Sequence, residues 1–146
     1  MGRISASAAL PYPPDLVFRV ATRVEDLPRW MPEVVAAELL DTPLAVGSRA
    51  RLRLSPAVAG AEVTASVTDL DPPSRLVLRG AGGPLGVGVQ VSLRATASTG
   101  TEATVDIDLD TPPFLGFVAR EVENRLRAGL PGALERLRAL IEAEPA

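Results

Sequence analysis

The sequence holds no cysteine and no histidine in its 146 residues. The first absence removes disulfides, thiol nucleophiles and thiolate metal sites. The second removes the imidazole base, the Ser-His-Asp triad and histidine-ligated zinc, and with them most hydrolase mechanisms. Lysine is absent too, so all 15 basic residues are arginine, set against 18 acidic ones for a net charge of −3. No nucleic-acid footprint follows from that balance. Arginine without lysine, beside abundant alanine, proline and glycine, reads as the codon bias of a GC-rich bacterial genome. No apolar run approaches the roughly eighteen residues of a membrane span, and the Met1-Gly2-Arg3-Ile4 start has no apolar signal-peptide core. Membrane insertion and export are therefore not expected, and a cytoplasmic location is the default.

What is present suits a folded domain. Hydrophobic residues at 47% and charged residues at 23% exclude disorder. The length fits a single domain, residues 1–146, that buries about 68–70% of its extended surface. Its organising stretch is C-terminal, from Pro112 through Glu142. Phe114, Val118, Val122, Leu126 and Leu130 recur at every fourth position, and Leu134, Leu137 and Ile141 continue the stripe. That spacing predicts one long amphipathic helix with the striped face buried. Thr111 is its expected N-cap, with Pro112-Pro113 in the first turn. Pro131, close to Gly129 and Gly132, deletes a helical hydrogen bond and predicts a kink. Such a bend either arches the helix over a cavity or lets its last turns follow the twist of a sheet.

Ahead of that helix the period is two. Alternation predicts strands over 3–10, 33–40, 48–54, 62–70, 75–79, 85–97 and 101–110. Turn signals separate them: Gly47, Ser55-Pro56 and Gly60, Asp71-Pro72-Pro73-Ser74, Gly80 to Pro84, and Ser98-Thr99-Gly100. Turns this short make an antiparallel meander. Two short helices follow the first strand, one opening at Asp15 and one from Val24 to Trp30, the second closed by Pro32. The sheet is the only partner long enough for the C-terminal helix, so the class is α+β.

Six segments in this order carry a resemblance. They are Ala9-Leu10-Pro11-Tyr12-Pro13-Pro14-Asp15-Leu16-Val17-Phe18, Trp30-Met31-Pro32-Glu33-Val34, Val46-Gly47, Val67-Thr68-Asp69-Leu70-Asp71-Pro72-Pro73-Ser74-Arg75-Leu76, Gly100-Thr101, and Leu134 to Glu142. Together, over nearly the whole chain, they resemble the SRPBCC superfamily, also called START-like or Bet v 1-like, and within it the bacterial polyketide cyclase/dehydrase and lipid-transport group. The resemblance implies a helix-grip fold: a seven-stranded antiparallel sheet wrapped around a long C-terminal helix, with two short helices after the first strand. It also implies a cavity between sheet and helix, entered near the short helices. Its expected lining is Phe18, Trp30, Leu52, Leu54, Leu76, Leu78, Phe114, Phe117, Val118, Val122 and Leu126. Small residues at Ala6, Ala8, Ala50, Ala65, Gly86, Gly88, Ala95 and Ala97 either leave room beneath the helix or let it sit closer.

For catalysis, aromatase/cyclases of this group place an arginine on the strand before the Pro-Pro turn. Thr68 stands there in this sequence, with Ser66 and Thr64 on its face. Whether that face or the Val63-Ala65-Val67 face points inward is open at this stage. The other polar candidates are Tyr12, Glu33, Asp69, Arg79, Gln90 and Asn124, of which Glu33, Tyr12 and Arg79 are the expected acid and base groups if there is catalysis. Asp106, Asp108 and Asp110 read as a solvated strand face, because no glycine follows and Phe117 occupies the place of an EF-hand's bidentate glutamate. Arg49, Arg51 and Arg53 read the same way. Gly80 to Gly88 fits no phosphate-binding motif. No metal and no cofactor is expected. The leading functional expectation is binding or carriage of a small apolar molecule such as a lipid, an isoprenoid or a polyketide. The alternatives are a polyketide cyclase/dehydratase, which needs two or more polar groups converging on one point, and an interaction module with a closed core and an apolar outer patch.

Overall fold

A computed structural model describes residues 2–56, 60–82, 85–96 and 99–144. The alternating segments form seven strands: β1 (Gly2–Leu10), β2 (Val34–Leu39), β3 (Arg49–Leu54), β4 (Glu62–Asp71), β5 (Arg75–Gly82), β6 (Leu85–Ala95) and β7 (Thr101–Asp110). Between β1 and β2 lie α1 (Pro14–Ala21), a 3-10 turn (Val24–Asp26) and α2 (Leu27–Trp30). After β7 come a second 3-10 turn (Pro113–Leu115) and α3 (Gly116–Glu142). The strands make one antiparallel sheet in the order β1-β7-β6-β5-β4-β3-β2. This is the α+β helix-grip architecture, a curled seven-stranded sheet around a long C-terminal helix.

Alternation decides which side chains meet that helix. Along β3, Ala50, Leu52 and Leu54 are buried while Arg49, Arg51 and Arg53 face solvent; along β7, Ala103, Val105, Ile107 and Leu109 are buried. The register carries this inner face across the sheet, with Val105 opposite Val91, Ile107 opposite Val89, Val89 opposite Leu78, Leu78 opposite Val67 and Val63 opposite Leu52. Val63, Ala65 and Val67 therefore point inward, and Thr64, Ser66 and Thr68 point away. A bulge between Val67 and Asp69 sets Asp69 opposite Val77 and Leu70 opposite Leu76. Strand β5 runs on through Gly80 and Gly82, where a turn was expected. A Cβ on either glycine would come within 2.2 Å of a β4 carbonyl oxygen, that of Thr64 or of Glu62, so only glycine lets the strands meet there. Ala57, Val58 and Ala59, and the expected turn or strand positions Gly83, Pro84, Ala97 and Ser98, lie outside the described residues.

Helix α3 buries Ala119, Val122, Leu126, Leu130, Ala133, Leu134, Leu137 and Ile141. Its start differs from the sequence expectation. Thr111 is not a cap: Leu115 holds that position, without a side-chain hydrogen bond, behind the 3-10 turn. Phe114, Phe117 and Val118, expected to line a cavity, are 77%, 75% and 43% exposed. The reason is angular. Four residues advance a helix by about 400°, so a stripe read at every fourth position drifts by about 40° per step. By Val118 it has turned about 120° from Leu130, and Ala119 takes the inward place, while Phe114 precedes the helix in the 3-10 turn. Pro131 sits on the exposed side of an unbroken helix, and Gly129 faces Pro32, whose Cβ would lie 3.2 Å from an added Cβ.

Candidate functional site

Among the described residues, two small apolar hollows lie in the space between α3, the short helices and the concave sheet face. One, of about 30 Å³, lies against α1 and α2 and is lined by Ala21, Thr22, Val24, Leu27, Leu76, Leu78 and Val91. The other, of about 40 Å³, lies under α3 and is lined by Pro32, Glu33, Leu54, Val87, Ile107, Leu109, Val122 and Leu126. Met31, Val34, Leu52 and Val89 line both and form the partition between them. A water molecule's share of liquid volume is about 30 Å³, and drug-sized ligands occupy pockets of about 300–1,000 Å³. As they stand, both hollows are far too small for a drug-sized ligand, which fits only if the surrounding side chains move.

Six of the eleven residues expected to line a cavity do line these hollows, namely Leu52, Leu54, Leu76, Leu78, Val122 and Leu126, and Glu33, a candidate acid or base, lines the second. Phe18 and Trp30 are buried in the core, outside both linings, and Phe114, Phe117 and Val118 are on the outside of α3. Val87, Val89 and Val91 also line the hollows; their alternation along β6 is the sequence signal for this, interrupted by Gly86 and Gly88. Gly86 and Gly88 are on the outer face, opposite Asp110 and Asp108, and make no room inside. Met31 and Val34 were missed because nothing local marks them as a partition.

Among the described residues, Glu33 is the only charged side chain in either lining. Its backbone is left-handed, at φ 65°, a conformation that favours glycine. The segment is held by flanking contacts: the Glu33 carbonyl accepts from the Ser55 amide at 2.9 Å, and the Trp30 carbonyl accepts from the Arg136 guanidinium at 3.1 and 3.3 Å. The Glu33 carboxylate, 16% exposed, accepts from the Ser55 hydroxyl through one oxygen and from Arg125 Nε, at 3.3 Å, through the other. Arg125 projects from α3, so this pair ties the helix to the turn before β2. The Trp30 indole N–H is buried with no partner among the described residues.

The remaining polar candidates are scattered. Tyr12 lies near the far end of α3, beside Arg138 and Glu142, and its carbonyl accepts from the Thr101 hydroxyl at 2.7 Å. Burial, and then the neighbouring Glu142 carboxylate, push the Tyr12 phenol above its usual value, against the opposing charge of Arg138. About 20 Å of helix separates Arg125, beside Glu33, from Arg138. Arg79 is on the outer face, between Ser66 and Gly88. Gln90 donates to the Ser92 hydroxyl at 3.0 Å, Asp69 pairs with Arg75 at 2.5 Å, and exposed Asn124 accepts from Arg127 at 3.5 Å. With Ser66 and Thr68 also outside, no two of these groups meet at the hollows.

The outer sheet face is a lattice of ion pairs. Asp108 pairs with Arg3 at 3.4 Å, Arg49 with Asp41 at 2.8 Å, and Arg51 with Glu38 at 3.5 Å and Glu62 at 3.4 Å. The Arg49 guanidinium and amide hold the Asp41 carboxyl below the usual carboxylate range. Among the described residues no cluster of three acidic side chains is placed to hold a metal ion, and no helix is long and apolar enough to cross a membrane.

Comparison with known proteins bears on the whole of this architecture. Residues 1–142 match the family model described as polyketide cyclase / dehydrase and lipid transport. Among solved structures, the Zhui aromatase/cyclase from Streptomyces sp. R1128 superposes with a TM-score of 0.78 at 17% identity, over 97% of this chain and 93% of that one. A protein from Thermus thermophilus gives 0.75 at 18% identity, over 99% and 100%. Ara h 8.0201 gives 0.66 at 15% identity, over 98% and 99%. At these identities the likeness shows a shared fold. Among curated proteins none matches by sequence.

Proposed function

We propose that this chain, which belongs to the polyketide cyclase/dehydrase and lipid transport family of the SRPBCC superfamily, binds a small apolar molecule beneath α3 and carries it without transforming it. The observation that supports this reading is the chemistry of the lining: aliphatic side chains on every wall and one charged group, Glu33, at the edge. Removing a ligand's apolar surface from water there yields about 25 cal/mol per Å², the term on which such binding runs. A cyclase or dehydratase needs a proton donor and an acceptor within hydrogen-bond reach of one reacting atom. Glu33, Tyr12 and Arg79 stand in three separate places and offer no such pair.

The interaction-module reading has its own support in the small size of the hollows and in the exposed Phe114, Phe117 and Val118. Titration with apolar compounds separates the two. Trp30, the one tryptophan, adjoins Met31 and Pro32 of the lining, so opening of the partition shifts its emission. A saturable shift across a panel of fatty alcohols, isoprenoids and aromatic polyketides supports carriage. A flat response over the whole panel, with self-association that Phe117→Ser abolishes, overturns it in favour of the module.

A further inference from the structure

Four side chains stand between the two hollows, and they are not equally free to move. Val34, Leu52 and Val89 carry branched side chains on β2, β3 and β6, where the backbone is tied into the sheet ladder. Met31 follows α2 with an extended backbone, φ −75° and ψ 133°, and carries an unbranched thioether on three rotatable bonds. Its own backbone is pinned on both sides. The Met31 amide donates to the Leu27 carbonyl at 2.8 Å, the Trp30 carbonyl before it accepts from Arg136, and the Glu33 carbonyl after it accepts from the Ser55 amide. Between them Pro32 holds its φ fixed. What can move at this wall is the Met31 side chain.

The two hollows hold about 30 and 40 Å³. The three heavy atoms beyond the Met31 Cβ fill about as much again, at about 25–30 Å³ each, the share of a water molecule. With them withdrawn the hollows become one cavity of about 150 Å³, a size at which an aliphatic-walled space stays dry and takes up one aromatic ring. We propose that Met31 is the specificity residue of this site, a side-chain plug whose withdrawal joins the hollows and admits one aromatic ring, or an equally short alkyl segment, of a ligand. This rests on the binding reading above and adds which wall moves. Two variants act on the plug in opposite senses. Met31→Ala removes it, and Met31→Ile, β-branched and alike in volume on a backbone already extended, holds it in place.

The test is calorimetric titration of the wild type and both variants with toluene, joined to NMR of the wild type labelled with 13C at the methionine methyls. The chain has two methionines, Met1 and Met31, so the Met31 resonance is the one that Met31→Ile lacks. Toluene is expected to bind the wild type and to shift the Met31 methyl with the same midpoint as the heat. Minor states are populated at about 0.1–10%, and apparent affinity falls by the populated fraction. Met31→Ala is therefore expected to bind toluene at least about ten-fold more tightly than the wild type, and Met31→Ile at least about ten-fold more weakly. If Met31→Ala does not fold, Met31→Ile and the methyl resonance carry the test. The plug is overturned, with the carrier reading left standing, if either folded variant binds toluene as the wild type does, or if the Met31 methyl stays put while toluene binds. If the wild type does not bind toluene the plug falls, and Trp30 emission under fatty alcohols then decides the carrier reading by itself: a saturable shift keeps it, and a flat response removes it as well.

Discussion

Removing the Glu33 side chain in two ways separates what the side chain contributes from what the backbone costs. Glu33→Gly and Glu33→Ala both lose the Ser55 hydroxyl bond and the Arg125 pair. The first contributes about 1 kcal/mol net. The second, with Arg125 half exposed, contributes at most about 1 kcal/mol. The variants differ in the left-handed backbone, which at φ 65° favours glycine over alanine by about 1 kcal/mol after glycine's larger unfolded-chain entropy is counted. Glu33→Gly should therefore be about 0–1 kcal/mol less stable than wild type and Glu33→Ala about 1–2 kcal/mol less stable. For a chain of this size the gap between them corresponds to about 4 °C in melting temperature. Urea unfolding and thermal melts followed by circular dichroism measure it. An alanine variant as stable as the glycine variant would refute the reasoning, because it would place Glu33 outside the left-handed region.

Three further outcomes follow from particular contacts. Tyr12 is the only tyrosine, so ultraviolet titration of its phenolate band is unambiguous, and its midpoint should lie above the ordinary value of 10.0. Its contribution to stability is complete below that value and is lost as pH rises through the folded one; a midpoint at or below 10.0 counts against the placement beside Glu142. Hydrogen bonding from Arg23 holds the Glu144 carboxyl below its usual range, so the stability it lends is present above that range and disappears as pH falls through the lowered value. Glu144→Gln should accordingly flatten the acid side of the melting-temperature profile while changing little near alkaline pH. On α3, Leu130→Ala, at a wholly buried site, should cost about 3–5 kcal/mol. Phe117→Ser, at an exposed one, should change stability by no more than about 0.5 kcal/mol. Comparable losses at the two sites would mean that something covers the outer face of the helix.

The strands were legible because their period is two with no accumulating error: a side chain eight residues along β7 is still on the side where alternation put it. The helix was legible only in part. Its period is not an integer, and the stripe through Phe114 and Val118 was followed for more turns than a fourfold spacing stays true. The segment Trp30 to Val34 was legible as a step that ends at Pro32, but no spacing rule foretold that Glu33 would take a left-handed backbone and reach Ser55 and Arg125, residues 22 and 92 positions away. Tyr12 and Arg79 were legible by residue type but not by place: Tyr12 lies beside Arg138 and Glu142 near the end of α3, and Arg79 lies on the outer parity of its strand.

The pairing of β1 with β7 also sets a clock. Each strand from β2 to β6 finds its next neighbour within a few residues of leaving the ribosome. Gly2 waits for Leu109, and Leu10 waits for Thr101. At synthesis rates of about 5–20 residues per second, the first strand made remains without its partner for about 5–20 s. Through that interval Ile4 and Leu10, destined to be wholly enclosed, travel with an unpaired backbone beside them, the kind of segment that chaperones hold and that aggregation recruits. The meander can form by stages, but the grip closes last and at a single seam. Ribosome-bound chains stopped before Thr101 should therefore be cut by protease within residues 2–10, and chains extended far enough past Asp110 for β7 to clear the ribosome should be protected there.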